Sequence, residues 1–390
     1  MCSSIAEVKS MGIFEGLERE LKQVEVVSEH DGYWYSVRDV LIILIAGVLC
    51  KQQKIQDIHE WAESAPARHF LRTEFGIEKI MCLAQFYNIL AAVNAEAFKR
   101  CFIRWVQGVL GEALPGKTVA IDGKTICSTD KLTKDGSILN IVSAYVSELK
   151  ITIGSHECMS KPGEREAFRE LLEMLNLADT IVVADALHCN KPTIEAIIKA
   201  DANYLLVAKD NTPTLKQGIK DCLAAKSTSS ATTKELNGGR IETRTAYVST
   251  DLSRMKSLKN WPNLTTVGAI HRQFENIKHG HKSSEWHYYI SSAALTPQQL
   301  LHHARMEWGV ESMHWLLDVH FQEDKSGVFD MNVQNLLNIV RKIALNLVQI
   351  YKTRNCNPRT ALVSIMRANL FDLNVLSAFF AFFRQTAELE

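Results

Sequence analysis

The sequence predicts a mixed α/β fold that carries a β-rich insertion and is preceded by an N-terminal helical domain. Two observations support this prediction. Hydrophobic residues up to about residue 111 recur at helical spacing, whereas the chain after residue 117 begins with three short apolar segments typical of strands. Helical and strand-like segments then alternate, which is the order expected of a mixed sheet covered by helices.

The composition is that of an ordinary folded protein. The chain has 390 residues, of which 46% are hydrophobic and 23% are charged, so extended disorder is not expected. Its 44 Lys and Arg residues balance its 44 Asp and Glu residues. A neutral chain can bind nucleic acid only through a local basic face, because nucleic-acid affinity depends on Lys and Arg contacts to phosphates.

The cysteines and the apolar segments indicate the compartment in which the protein is expected. Nine cysteines are scattered along the chain without a close pair at the spacing of zinc ligands. The N-terminus lacks the basic and apolar regions of a signal peptide, and the longest apolar segment, Val40–Cys50, is too short to span a bilayer. A reduced, cytoplasmic setting is therefore expected.

The N-terminal domain is predicted to be helical and to span residues 1–111. Four segments have helical periodicity: 37–49, 54–63, 79–93 and 95–110. The linker that follows contains Gly111, Pro115 and Gly116, residues that commonly interrupt regular structure. A second domain is therefore predicted to span residues 117–390.

The second domain is predicted to begin with strands at 118–122, 138–146 and 150–156. Helix 164–175, strand 180–185, helix 191–200 and strand 204–207 are predicted next. This is the order of elements in ribonuclease H-like folds. The β-rich insertion is predicted at about 212–294, with one helix followed by strands at 240–249, 264–274 and 286–291. C-terminal helices are predicted over residues 297–390, the first of them at 297–321.

Acidic residues stand where two of the predicted strands end. Asp122 closes the first strand and Asp185 the fourth, so both carboxylates are expected at one edge of the sheet. In the helix predicted at 297–321, Glu311 lies on an acidic stripe about a quarter-turn from the apolar stripe. Converging carboxylates suit Mg²⁺ or Mn²⁺, and such ions can clamp a phosphodiester. The alternative interpretation of Glu311 is an ordinary solvent-facing position.

Other residues are candidates for supporting roles. Glu323 and Asp324 could supply the third acid instead of Glu311, or could orient neighbouring groups. Four basic side chains could contact DNA phosphates or could be ordinary surface residues: Lys124, Lys209, Arg240 and Arg244. We expect Glu242 to point away from the two arginines of its strand, and Trp308 and Trp315 to pack in the core.

Five segments of the chain carry a resemblance to a known family. They are, in order, Ala120–Thr125, Val182–Ala186, Gly239–Arg244, Tyr288–Ser292 and Trp308–Val319. In this order and context they resemble bacterial insertion-sequence DDE transposases of the H-repeat-associated, or ISAs-type, family. N-terminal segments such as Asp57–Trp61 and Phe102–Trp105 resemble the helical domain that accompanies these enzymes. The resemblance extends over nearly the whole chain.

The resemblance implies a DNA transposase with a ribonuclease H-like catalytic domain. Asp122, Asp185 and Glu311 match the three metal-binding acids of the family, and Asp122 is expected to bridge two Mg²⁺ or Mn²⁺ ions. Water would attack at the ends of the mobile element, and the released 3′-hydroxyl would then attack target DNA.

The resemblance also implies partners and a location. The partners are double-stranded DNA, as the terminal inverted repeats of the element and as target DNA, together with further copies of the chain. The implied location is the bacterial cytoplasm, at the nucleoid when DNA is bound. The N-terminal domain is expected to serve DNA binding or assembly.

The chain departs from the family's pattern at a few positions. Glu307 stands where a His is usual, and Ser312 where an Asn is usual. Two alternatives to an active transposase stay open. One is a nuclease of the same fold that cleaves nucleic acid without joining strands, and the other is a catalytically silent DNA-binding relic or regulator.

Overall fold

Helices fill the N-terminal part of the molecule. The computed structural model describes residues 12–24, 36–126, 139–158, 163–224, 228–255, 261–278, 280–328 and 330–384. Six of its helices precede residue 111: α1 (Ile13–Leu21), α2 (Val37–Leu49), α3 (Ile55–Glu63), α4 (Ala65–Phe75), α5 (Leu83–Ala92) and α6 (Ala95–Leu110). Nearly every residue of α2 is buried, as expected for a helix that is apolar on all sides.

The central sheet begins with three antiparallel strands, β1 (Thr118–Thr125), β2 (Asn140–Val146) and β3 (Ile151–Cys158). Helix α7 (Glu164–Met174), strand β4 (Ile181–Ala184), helix α8 (Lys191–Lys199) and strand β5 (Asn203–Ala208) come next. Strands β1, β4 and β5 are parallel to one another. The spatial order β3-β2-β1-β4-β5 confirms the predicted ribonuclease H-like fold.

The insertion extends the same sheet. It consists of α9 (Pro213–Leu223), β6 (Ser229–Asn237), β7 (Arg240–Ser249), β8 (Thr266–Asn276) and β9 (Lys282–Ser291). Strand β9 pairs with β5 in the antiparallel sense, and β8, β7 and β6 follow outward. The β-rich insertion is therefore confirmed, and β6 is a strand that the sequence analysis did not predict.

The C-terminal region is helical, but its first helix differs from the prediction. The single helix predicted at 297–321 is wrong, because α10 (Pro297–Met306) and α11 (Trp308–Phe321) are separate helices that meet at Glu307. The hydroxyl of Ser147 donates a hydrogen bond to the carbonyl of Met306 over 2.6 Å. The bond gives the last carbonyl of α10 a partner outside the helix at the point where the helix ends.

Three further helices complete the chain: α12 (Met331–Asn355), α13 (Leu362–Phe371) and α14 (Leu373–Arg384). In the described ranges no single helix has both the length and the apolar composition to cross a membrane. Helices α13 and α14 meet that criterion only when they are taken together across a bend of 120°.

One hydrophobic core joins the N-terminal helices to the sheet. Most residues of helix α12 are buried, and the helix packs against α2, α6 and β3. The predicted boundary at residues 111–117 falls between α6 and β1, in a segment that contains Gly111 with φ 52° and Gly116 with φ 76°. The division into two domains at this segment stays a prediction.

Candidate functional site

Three acidic side chains from separate parts of the chain line one open cleft. Asp122 lies on β1, Asp185 directly follows β4, and Glu311 lies on the first turn of α11. The cleft has a volume of about 750 Å³, and all three residues line it. Ala120 pairs with Val183 in the parallel register of β1 and β4, so Asp122 is level with Asp185 two residues further on.

Helix α11 reaches this edge of the sheet because of a glycine. A Cβ atom at Gly309 would lie only 2.3 Å from the hydroxyl oxygen of Ser147, so a larger residue would push the helix away from the sheet. Helix α11 packs against β1 and β2. This contact brings Glu311 to the two aspartates.

Electrostatic repulsion is evident at Asp122. Burial, followed by the negative charge of Asp185, raises the pKa of Asp122 to about 6, and Glu164 and Glu311 add to this effect. His314 does not balance this negative charge. Its Nδ1 lies 3.7 Å from Oδ2 of Asp122, but burial lowers the pKa of His314 to about 3. The site thus gathers more negative charge than its neighbours balance.

A fourth acid, Glu307, lines the same cleft. Burial, followed by repulsion from Asp185, raises the pKa of Glu307 to about 8, although Lys209 opposes the shift. The sequence places Glu307 on the same acidic stripe as Glu311 and marks it as a departure from the family's pattern, but does not predict it as a site residue. Its spacing of four residues from Glu311, about one helical turn, was the signal that both side chains face the same way.

Glu323 and Asp324, the alternative acids, are engaged elsewhere and are not among the residues that line the cleft. Oε2 of Glu323 lies 2.9 Å from Nζ of Lys124, and its other carboxylate oxygen accepts a hydrogen bond from Asn338. Asp324 lies 3.4 Å from the same ammonium group. Although burial opposes it, the positive charges of Lys342 and Lys124 hold the pKa of Glu323 below its usual value.

The four basic candidates differ in their positions relative to the cleft. Lys209 is exposed and lines the cleft, and Arg244 also lines it. Lys124 is only 12% exposed and pairs with acids, so its ammonium group is not directed at the cleft. Arg240 is exposed at the start of β7, outside the cleft lining.

The expectation that Glu242 points away from the arginines is wrong. Its Oε1 lies 2.6 Å from Nη2 of Arg244, and it also pairs with Arg272 of the neighbouring strand. The physical reason is simple: residues two apart on a strand project from the same face of the sheet.

Sequence analysis missed two further residues of the cleft. Arg272 on β8 is the register partner of Arg244 on β7, and both line the cleft. Trp308 is 52% exposed at the start of α11, with the guanidinium of Arg272 5.3 Å from its ring centre. The expectation that Trp308 and Trp315 pack in the core is wrong, because the buried stripe of α11 is formed by Val310, Met313, Leu317 and Phe321.

Comparisons with known proteins bear on most of the chain. The sequence profile of the family described as "Transposase DDE domain" matches residues 149–347, just over half of the chain. A second profile, described as "DDE_Tnp_1-associated", matches residues 20–106. The first match begins after β1, the strand that carries Asp122.

Individual proteins are similar over greater lengths. "Putative transposase YncI" of Escherichia coli O157:H7 is 29% identical over 328 residues, which cover 81% of this chain and 82% of that protein. "H repeat-associated putative transposase YhhI" of Escherichia coli strain K12 is 26% identical over 379 residues, which cover 94% and 98%. Among solved structures, a piggyBac transposase synaptic complex with hairpin DNA aligns with 11% identity and a TM-score of 0.44, covering 99% of this chain and 80% of that one.

Proposed function

We propose a catalytic assignment for this chain, which belongs to the DDE transposase family and is a DNA transposase. In our assignment Asp122, Asp185 and Glu311 hold the divalent metal on which DNA cleavage and strand transfer depend. One observation carries the assignment: the three carboxylates come from β1, from the end of β4 and from α11, and they line one cleft. A cleft open to solvent is what a large DNA substrate requires.

The residues of the cleft fit a divalent metal ion. DDE transposases use such ions, and carboxylate oxygens are the ligands that Mg²⁺ and Mn²⁺ prefer. Burial first, and then repulsion among the acids, raises the pKa values of Asp122 and Glu307 to about 6 and about 8, and a bound cation would oppose both effects. We assign the site to two Mg²⁺ or Mn²⁺ ions. When bound, they would stabilise charge on the attacking and leaving oxygens of the phosphodiester.

Basic side chains of the cleft bind and orient the DNA strand in this proposal. Lys209, exposed at the end of β5, places an ammonium group beside the acids. Arg244 and Arg272 stand side by side on β7 and β8 and share the carboxylate of Glu242. Each guanidinium has five N–H donors, so donors are left for a phosphate after the ion pairs are made.

The DNA partners and the assembly follow from the reaction. The substrates we propose are double-stranded DNA that carries the terminal inverted repeats of the element, and target DNA. An element has two ends, whereas the described part of each chain brings together one such set of acids. Cleavage of both ends at the same time therefore requires at least two copies of the chain on the DNA.

The proposal is tested with DNA that carries both ends of the element, taken from the sequence that flanks its reading frame. In Mg²⁺ or Mn²⁺ we expect nicks at the element ends and, when target DNA is added, joined products. Cleavage without joined products would identify a nuclease. Binding without either reaction would identify a silent DNA-binding relic or regulator.

A further inference from the structure

A cluster of nitrogen and oxygen ligands lies outside the catalytic cleft. Glu148 follows β2, and His302 and His303 are neighbours on α10. One ligand atom from each of the three residues lies within 4.8 Å of the other two. The cluster adjoins Thr118 at the start of β1, four residues before Asp122, which is about 13 Å along an extended strand. None of the three residues lines the cleft that holds Asp122.

Glu148 is a buried carboxylate with little positive charge around it. Its side chain is 8% exposed, and its Oε1 accepts hydrogen bonds from the hydroxyl of Thr118 over 2.6 Å and from the amide of Thr118 over 3.0 Å. Within the described ranges its one ion-pair partner is His302, whose Nε2 lies 3.2 Å from Oε1. The hydrogen bonds from Thr118 orient the carboxylate but add no positive charge, which a bound cation would supply.

The two histidines supply nitrogen ligands of different accessibility. His303 is buried, at 6% exposure. The Thr118 hydroxyl lies 2.8 Å from Nδ1 of His303, which ties the ring to the same residue that binds Glu148. The side chain of His302 is 49% exposed, which gives an ion a path from solvent.

We propose that Glu148, His302 and His303 form a zinc site separate from the catalytic acids. Two imidazole nitrogens and one carboxylate oxygen are a donor set that suits zinc, whereas Mg²⁺ prefers oxygen ligands alone. Three protein ligands leave one position of a tetrahedral zinc ion for water.

The position of the site suggests what the ion does. Glu148 belongs to the segment that follows β2, and both histidines belong to α10, which leads directly into α11 and Glu311. A zinc ion would therefore fasten α10 to the sheet and stabilise the folded chain. It would not take part in DNA cleavage, so the proposal stands or falls independently of the catalytic assignment.

Thermal unfolding with and without zinc tests the site. We expect zinc to raise the Tm of the metal-free protein, and His302→Ala to weaken zinc affinity by more than about tenfold. His302 is half exposed, so this variant should keep its fold, which circular dichroism checks. His69→Ala, a substitution of an exposed histidine on α4, is the matched control and should keep the zinc effect. The double variant Asp122→Asn, Glu311→Gln should keep it too.

Cobalt in place of zinc gives a second readout. Visible absorption of four-coordinate Co²⁺ should appear with the unsubstituted protein and with the double variant, and should vanish with His302→Ala. An unsubstituted protein that shows neither stabilisation nor absorption overturns the proposal, and so does a His302→Ala variant that keeps both. Loss of the zinc effect in the double variant would place the ion at the catalytic acids, which also overturns it.

Discussion

The ammonium nitrogen of Lys124 lies 2.9 Å from Oε2 of Glu323, and only 12% and 3% of the two side chains are exposed. Lys124 also contacts Asp318 and Asp324. Because Lys124 stands two residues after Asp122, this network joins the end of β1 that carries Asp122 to α11 and to the turn that follows α11. A buried ion pair of this kind stabilises the fold and is not a metal-binding site.

Substitutions of the two rival acids should therefore behave differently. Glu323→Gln should lower the free energy of unfolding by about 3 kcal/mol, because Lys124 and Lys342 lose a buried counter-charge. Glu311→Gln should lower it by less than about 0.5 kcal/mol, since this carboxylate is exposed in the cleft, and should abolish metal-dependent cleavage. Denaturant unfolding measures the stability of both variants, and a cleavage assay measures their activity. Unchanged stability with lost metal binding in Glu323→Gln would make Glu323 the third acid.

The acids of the cleft should make the stability of the metal-free protein depend on pH. The pKa of Glu307 is raised from 4.5 to about 8 in the folded chain, so the folded state keeps a proton that the unfolded state releases. Stability should therefore fall as the pH rises between these two values. Glu307→Gln should reduce this dependence of stability on pH. Thermal unfolding between about pH 5 and about pH 8 measures it, and identical slopes for the two proteins would contradict the account.

Lys209 should contribute to DNA binding through phosphate contact. Lys209→Ala should weaken binding to all DNA sequences alike and reduce the slope of log affinity against log salt by about 1. Lys199→Ala is the matched control, because Lys199 is 75% exposed on α8 and does not line the cleft. Equal salt slopes for both variants would remove Lys209 from the DNA surface.

Trp308 should bind DNA by stacking on an unpaired base beside the cleft. Trp308→Ala should weaken binding of the element ends by about 1–3 kcal/mol, the usual contribution of a stacked base. Trp315→Ala provides the control on the same helix, because Trp315 is 57% exposed but does not line the cleft. Fluorescence anisotropy with labelled DNA measures both, and equal affinities would contradict a stacking role for Trp308.

The sequence predicts the central sheet well because its strands are buried. The first four residues of β1 and all four residues of β4 are buried and mostly apolar, as expected for strands in the middle of a sheet. Strand β6 was missed for the opposite reason, since its sequence is mostly polar and it lies at the edge of the sheet. At the break between α10 and α11, the carbonyl of Met306 accepts a hydrogen bond from the hydroxyl of Ser147, which is 159 residues away in the sequence. No local pattern contains that contact.

The site was predictable to a similar extent. Asp185 follows from the end of a strand, and Glu311 follows from the helical stripe together with the family resemblance. The sequence predicts that Asp122 closes a strand at residue 122, but β1 continues to Thr125. The partners of Lys124 could not be predicted, because Asp318 and Glu323 lie 194 and 199 residues further along the chain. Arg272 depends on the register of β7 and β8. The cluster of Glu148 with the two histidines depends on the packing of α10 against β1.

The most direct test of the catalytic assignment is metal-dependent cleavage by Asp122→Asn. Cleavage of DNA that carries the element ends should fall by more than about a hundredfold in Mg²⁺, because the loss of a direct ligand costs more than the loss of an outer contact. Fold and DNA affinity should be kept. Asp201→Asn is the matched control: Asp201 is exposed before β5 with φ 54°, a conformation that Asn tolerates. Cleavage by Asp122→Asn at the rate of Asp201→Asn would contradict the assignment.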